Sequence, residues 1–331
     1  MKVHVLCPAT TVTGGPEALH QLVDAGQRLG YDMAMVYAPE GHPDPTPPVF
    51  RMYAPRTALR VADTPDSVVI AAETTAPALL GLQHATRVLS WLSVDHFRNF
   101  AEQARPAPNA ASPFDFVLDP AQQVVHVAQS EYARRWLADQ GLDSLMLTDY
   151  IRDELVERAN AVRGSVKEDI VAFNPKKGLE FTRALMAAAP AHFRWVPIQN
   201  MTPVEVASLL GRSKVYIDFG AHPGRDRIPR EAALCGCVVI TGTQGSAAFD
   251  EDLPLPPGFK FDERQAMAVP LVLRRIETAL RDYDTLSQRF EPYRQWIAGQ
   301  RGVFFDEVHV LLATLEARLQ ARRALREPRA A

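Results

Sequence analysis

The chain of 331 residues holds three cysteines, Cys7, Cys235 and Cys237, and the last two stand too close along the chain for an easy disulfide. An oxidised framework is excluded, and a reducing compartment is expected. Long apolar runs are missing as well. Residues 3–6 are apolar but end at Cys7-Pro8, too short for a signal-peptide core, and no window reaches the ~18 apolar residues of a spanning helix. Positive charge is not in excess: 36 Lys+Arg face 39 Asp+Glu, a formal charge of -3, which disfavours a protein whose main task is coating nucleic acid. The glycine fingerprint GxGxxG is absent, which argues against a nicotinamide-dependent oxidoreductase. The expected location is the cytoplasm.

What is present reads as globular. Hydrophobic residues make up 47% and charged residues 23% of the chain, enough apolar surface for a core and far from the composition of disorder. At roughly 150 residues per domain the length suggests two domains. Strand-like runs at 3–6, 33–37, 67–72, 87–92 and 124–128 alternate with helical spacing at 17–25, 76–82, 96–103 and 131–140. Residues 39–65 and 104–121 are Pro-rich and expected to be irregular. A charged helical stretch at 152–163 precedes a second series, with strands at 169–173, 193–198, 214–219 and 237–241. Its helices are expected at 179–189, after Thr202 as N-cap with Pro203 at the first position, and at 229–234. Residues 266–325 read as helix, with breaks near Pro292 and at 299–302. Two successive series of alternating strands and helices predict an α/β protein of two Rossmann-like doubly wound domains.

Doubly wound domains bind ligands beyond the carboxyl ends of their strands, and polar residues concentrate there. Gly14-Gly15 would let an anionic group approach the amides of the first helix, or they form only a tight turn. Asn174-Pro175-Lys176-Lys177-Gly178 sets two lysines at the positive end of a helix, an arrangement eased by a phosphate; a solvated basic turn is the plainer alternative. Residues 218–237 are the densest segment, with His222, Gly224, Arg225, Arg227 and Glu231 in one strand-to-helix turn. Arg225 and Arg227 could neutralise a diphosphate, and Glu231, placed in the first helical turn, could accept bonds from two vicinal hydroxyls. In the first series Glu73, Asp95 and His96 follow strands, where a carboxylate or imidazole could orient a hydroxyl; Asp95 also reads as an ordinary N-cap. Cys235-Gly236-Cys237 reads as a tight helix end, with no fourth ligand for a metal. Asp250-Glu251-Asp252 lies in an acidic, Pro-rich loop, so no metal site is expected.

Gly14-Gly15-Pro16-Glu17, Ser130-Glu131-Tyr132-Ala133, Lys177-Gly178 and Glu231-Ala232-Ala233-Leu234-Cys235-Gly236-Cys237 resemble, in order, the motifs of retaining GT-B glycosyltransferases of the family-4 type. The resemblance implies two domains facing a cleft: an acceptor domain over 1–155, a nucleotide-sugar donor domain over 165–295, and helices over 296–331 that cross back to the first. It assigns Gly14 and Gly15 to the donor diphosphate and acceptor, Lys177 to the diphosphate, Glu231 to the ribose and Gly245 to amides near the donor. Asn174, Lys176, Gln199, His222, Gly224, Arg225 and Arg227 complete the donor-binding set, and Asp95, His96, Glu73 and Lys177 the catalytic one. The family's first glutamate is replaced by Pro223, and its usual arginine ahead of the lysine is absent near Asn174.

The expected activity is transfer of a sugar from a UDP- or GDP-linked donor to a hydroxyl of a glycan or lipid-linked acceptor, retaining, without metal or cofactor, in polysaccharide assembly. Alternatives are a nucleotide-sugar epimerase or hydrolase, or a non-catalytic nucleotide- or glycan-binding protein. The tail from residue 316 carries five Arg and two Glu, read as a weak contact with the inner face of a membrane or as a solvated helix end.

Overall fold

The computed structural model describes residues 1–107 and 110–326, and the described residues divide into two compact units, one of 1–149 with 302–326 and one of 150–301.

Unit 1 is built on a six-stranded sheet. Its strands are β1 (Lys2–Pro8), β2 (Asp32–Ala38), β3 (Ser67–Ala72), β4 (Thr86–Trp91), β5 (Val125–Ala128) and β6 (Ser144–Met146), in the order β2-β1-β3-β4-β5-β6. Every pairing is parallel. All six residues of β3 are buried, as expected where both faces of a parallel sheet are covered. Helices α1 (Gly14–Arg28), α2 (Val94–Gln103) and α3 (Glu131–Asp139) link the strands. The helix expected at 76–82 is instead a 3-10 segment, Glu73–Leu79, with Pro77 inside it; proline lacks the N–H that a longer α-helix needs there. Strand β6 has three residues, too few to show a period in sequence. Strand order reverses between β1 and β3, so the topological switch point of this unit lies at the carboxyl ends of those two strands.

Unit 2 repeats the pattern with four strands, β7 (Glu168–Phe173), β8 (Arg194–Pro197), β9 (Ser213–Asp218) and β10 (Val238–Thr241), in the order β10-β9-β7-β8, all parallel. Its switch point lies between β7 and β9. Around the sheet stand α4 (Asp153–Arg163), α5 (Leu179–Ala188), α6 (Pro203–Arg212), α7 (Arg227–Leu234), α8 (Ala268–Arg281) and α9 (Tyr283–Gln288). Thr202 caps α6 as expected: its hydroxyl accepts from the Glu205 amide, and the Glu205 carboxylate accepts from the Thr202 amide at 2.7 Å. Lys167, partly buried, donates to the carbonyls of Leu210, Ser213 and Cys235 at 3.2, 3.1 and 2.9 Å, tying together the ends of α6 and α7.

The last helix, α10 (Glu291–Arg326), corrects one expectation. Pro292 lies in its first turn, where the missing N–H costs nothing, and Gly299 and Gly302 do not break it. Two glycines cost about 1 kcal/mol each, whereas Phe304, Val308, Leu311, Leu312 and Leu315 are fully buried along the same helix. Burial of five such side chains, at roughly 1.5–3 kcal/mol each, decides the outcome.

Candidate functional site

At the switch point of unit 2, three loops are drawn together by backbone contacts that only glycine allows. Gly178 has a φ of +57°, and a Cβ there would lie 2.2 Å from the Phe219 carbonyl oxygen; one on Gly220 would lie 2.5 Å from the Gly178 nitrogen. The loop after β7 and the loop after β9 therefore touch main chain to main chain. Gly245, after β10, has a φ of +59° and would place a Cβ 2.1 Å from the His222 oxygen. Ser246 locks this third loop, its amide donating to the His222 carbonyl at 2.9 Å and its hydroxyl to the Gly224 carbonyl at 2.7 Å.

This assembly focuses four ionisable side chains. The Lys177 ammonium lies 2.5 Å from Asp226 Oδ2, 3.1 Å from Asp218 Oδ1 and 3.3 Å from His222 Nδ1. His222 is buried, with Nδ1 2.6 Å from Asp226 and Nε2 3.3 Å from the Asp218 carbonyl. Asp218, buried at the end of β9, also accepts from the Tyr216 hydroxyl at 2.9 Å. Burial pushes the Asp218 carboxyl above the usual carboxylate range, more than the nearby Lys177 and His222 charges pull it down. For Asp226 burial acts upward too, but the hydrogen bond from His222 and the Lys177 charge together hold its carboxyl below that range. The positive charge that the sequence reading referred to a bound phosphate is thus met inside the chain by two carboxylates. One donor atom from each of Asp218, His222 and Asp226 lies within 4.8 Å of the others, a spacing that could hold a cation; the ammonium of Lys177 sits beside all three residues.

The other residues expected to bind a donor are placed less uniformly. Asn174 turns its side chain back to accept from the Lys176 amide at 3.1 Å, while Lys176 and Gln199 are exposed. Arg225 is buried, donates to Gln300 at 2.6 Å and lies over the Trp296 ring at 5.0 Å. Helix α7 begins at Arg227 rather than at Pro229, so Glu231 belongs to its second turn rather than its first. Proline is tolerated at the third position because the first four amides of a helix have no intrahelical partner. Asp226 occupies the N-cap but makes no cap bond; its carboxylate is taken by Lys177 and His222. Arg227 and Glu231 are partly exposed, and each has partners within the chain.

Sequence reasoning overlooked Glu263. It reaches in from the loop before α8, and its Oε1 accepts from the Gly220 amide at 2.8 Å and from Gln244 Nε2 at 2.5 Å. No local signal marks it. Arg230, which lies in the dense segment at 218–237, is fully buried and donates to the Arg225 and Asp226 carbonyls at 2.9 and 3.2 Å, bracing the loop from below.

In unit 1, Gly14 and Gly15 are the first two residues of α1, and Thr13 makes no side-chain cap. Glu73, at the end of β3 beside the switch point, is 2% exposed, and its carboxylate accepts from the Leu92 amide at 2.9 Å. Burial raises its carboxyl to about 7 against the pull of those amide bonds. Asp95 is not the N-cap of α2: Ser93 is, its hydroxyl accepting from the His96 amide at 3.0 Å. Asp95 instead accepts from the Tyr132 hydroxyl at 2.9 Å, and the His96 side chain is exposed.

Two parallel sheets with the same reversal of strand order define the two-domain Rossmann-like fold of GT-B proteins, and comparison with solved structures bears this out. The HepE protein of Anabaena, solved in complex with UDP, matches with a TM-score of 0.61 and 12% identity, over 96% of this chain and 100% of that one. A glycosyltransferase from Rickettsia africae matches at 0.63 and 11% identity, over 96% and 98%. Sucrose-phosphate synthase of Thermosynechococcus elongatus matches at 0.63 and 13%, over 97% and 100%. No family model matches the chain, and no curated protein matches it either. Among the described residues no helix is long and apolar enough to cross a membrane.

Proposed function

We propose that this protein is a glycosyltransferase that moves a sugar from a UDP- or GDP-linked donor to a hydroxyl of a glycan or lipid-linked acceptor, with retention and without metal or cofactor. The observation that carries the reading is the cluster of Lys177, Asp218, His222 and Asp226 at the switch point of unit 2, in a fold whose neighbours include a UDP complex. When the bond from the anomeric carbon to the diphosphate breaks, negative charge grows on the departing phosphate oxygen. A diphosphate at this switch point would draw Lys177 from Asp226, and the ammonium would stabilise the leaving group, the kind of fixed electrostatics that contributes most to such steps. Glu231 is assigned to the ribose, the amides of Gly14, Gly15 and Gly245 to the ends of the substrates, and Gln199, Gly224, Arg227 and Lys176 to the periphery of the donor. Glu73 and Asp95, with His96, are assigned to the acceptor hydroxyl; a carboxyl near 7 suits proton transfer at neutral pH. We assign the protein to the cytoplasm, with the Arg-rich tail either a solvated helix end or in weak contact with the inner face of a membrane; residues 327–331 of that tail lie outside the described residues.

A second reading, a nucleotide-binding protein that has lost catalysis, is favoured by the internal neutralisation of Lys177 and by Pro223 in place of the first glutamate. Titration with UDP and GDP followed by assay of UDP- and GDP-sugars separates the two. At about 100 times Kd, nucleotide should add about 2.7 kcal/mol of stability. Binding with slow nucleotide release that EDTA leaves unchanged supports the transferase; binding without release supports the second reading; stabilisation by NAD alone refutes both. In the transferase, Lys177→Ala should lower kcat more than it weakens donor binding, because the charge it meets grows in the transition state.

A further inference from the structure

We infer that unit 1 carries a second ligand site, a pocket for a phosphate-type oxyanion at the amino-terminal ends of β4, β5 and β6, at the opposite end of the sheet from the β1/β3 switch point. The pocket has a volume of about 520 Å³, and among its lining residues are Thr86, His126, Asp143, Arg318 and Arg322, a size within the usual range for small-molecule sites.

Four of its polar side chains, those of Thr86, His126, Arg318 and Arg322, can donate hydrogen bonds, alongside Gln123, which can donate and accept, and the acceptor Asp143. His126 is 5% exposed, and its Nδ1 accepts from the indole N–H of Trp91 at 3.0 Å. Indole nitrogen can only donate, so in a neutral imidazole the hydrogen must sit on Nε2. Burial does keep the ring neutral, lowering it to about 4. The Nε2–H is therefore the hydrogen this ring has left to offer a ligand. Thr86 Oγ1 accepts from Arg322 Nη1 at 3.1 Å, which leaves the hydroxyl hydrogen free to donate as well. Arg322 is held in place by a second bond, to the His84 carbonyl at 3.4 Å. Arg318, one turn earlier on α10, is exposed and adds a second guanidinium at the rim. Asp143 is the one acid among the lining residues, so the two arginines outnumber it.

An imidazole N–H, a hydroxyl and two guanidiniums lining one pocket suit an acceptor that carries charge and several oxygens, the description of a phosphate monoester or a phospholipid headgroup. A neutral sugar would make no use of the arginines' charge. The end of α10 thus forms one side of the site, held against unit 1 by Arg322 and by Arg323, which pairs with Asp66 at 2.6 Å.

The test is titration of the full chain with inorganic phosphate at constant ionic strength, reading the His126 ring signals by NMR and heat by calorimetry. Glucose 6-phosphate and vesicles of phosphatidylcholine with or without phosphatidic acid form two further arms. The expected result is a saturable shift of His126 at millimolar phosphate that Arg318→Glu weakens by about tenfold or more, reversing one rim charge, with the melting temperature of the variant unchanged. Saturation by glucose 6-phosphate assigns a soluble ester. A response confined to phosphatidic acid vesicles, and lost in Arg318→Glu, assigns a headgroup. No shift at His126 with any of the three, or a shift that Arg318→Glu leaves intact, overturns the site.

Discussion

Glu73 is the residue whose surroundings differ most from what its position in the sequence suggests. A glutamate following a strand reads as a group aimed at a ligand, yet its carboxylate is buried and accepts from the Leu92 amide. With its carboxyl raised from 4.5 to about 7, the folded state binds more protons than the unfolded state between those values. Stability then falls as pH rises through that window. Glu73→Gln, which keeps an acceptor for the Leu92 amide, should remove this slope, so that parent and variant converge near pH 4.5 and the variant becomes the more stable above pH 7. Melting curves across that range check it; a parent whose melting is flat relative to the variant would contradict the shift. Lys177 teaches a related lesson. Its place after β7 was legible from Asn174-Pro175-Lys176-Lys177-Gly178, but its partners, Asp218 and Asp226, lie more than forty positions away and could not be paired with it from spacing. Glu263 was illegible for the same reason.

Elements were legible where the signal is local. The N-cap at Thr202 and the strands of both series other than β6 follow from period and cap chemistry within a few residues. Elements set by distant packing were not: α10 keeps its helix through two glycines because apolar side chains further along it are buried. Two substitutions separate these cases. Thr202→Ala removes a local cap and should cost about 1 kcal/mol in unit 2, seen as a small drop in its melting temperature with nucleotide affinity unchanged. Gly178→Ala has a local cost for a positive φ and a non-local one, since its methyl would meet the Phe219 carbonyl. It should destabilise unit 2 by several kcal/mol and weaken nucleotide binding together, because the loop after β7 must move off the loop after β9. Equal small effects from both variants would mean that the loops yield easily.

At the scale of the molecule, the two units differ in how they draw on the chain: residues 150–301 form unit 2 in one uninterrupted run, whereas unit 1 needs residues 1–149 and the segment from 302 onward. A chain that ends at Arg301 should therefore keep a cooperative unfolding transition for unit 2 and its affinity for nucleotide, and lose that of unit 1, as calorimetry and proteolysis would report. Loss of both transitions would show that unit 2 cannot stand alone. Unit 1 depends on contacts such as that of Arg322 with Thr86, made between residues 236 positions apart in the sequence. The consequence is an order in time. During synthesis on the ribosome the part of the protein made second can fold first, while the part begun earliest must wait, with its sheet incompletely covered, for the last helix to emerge.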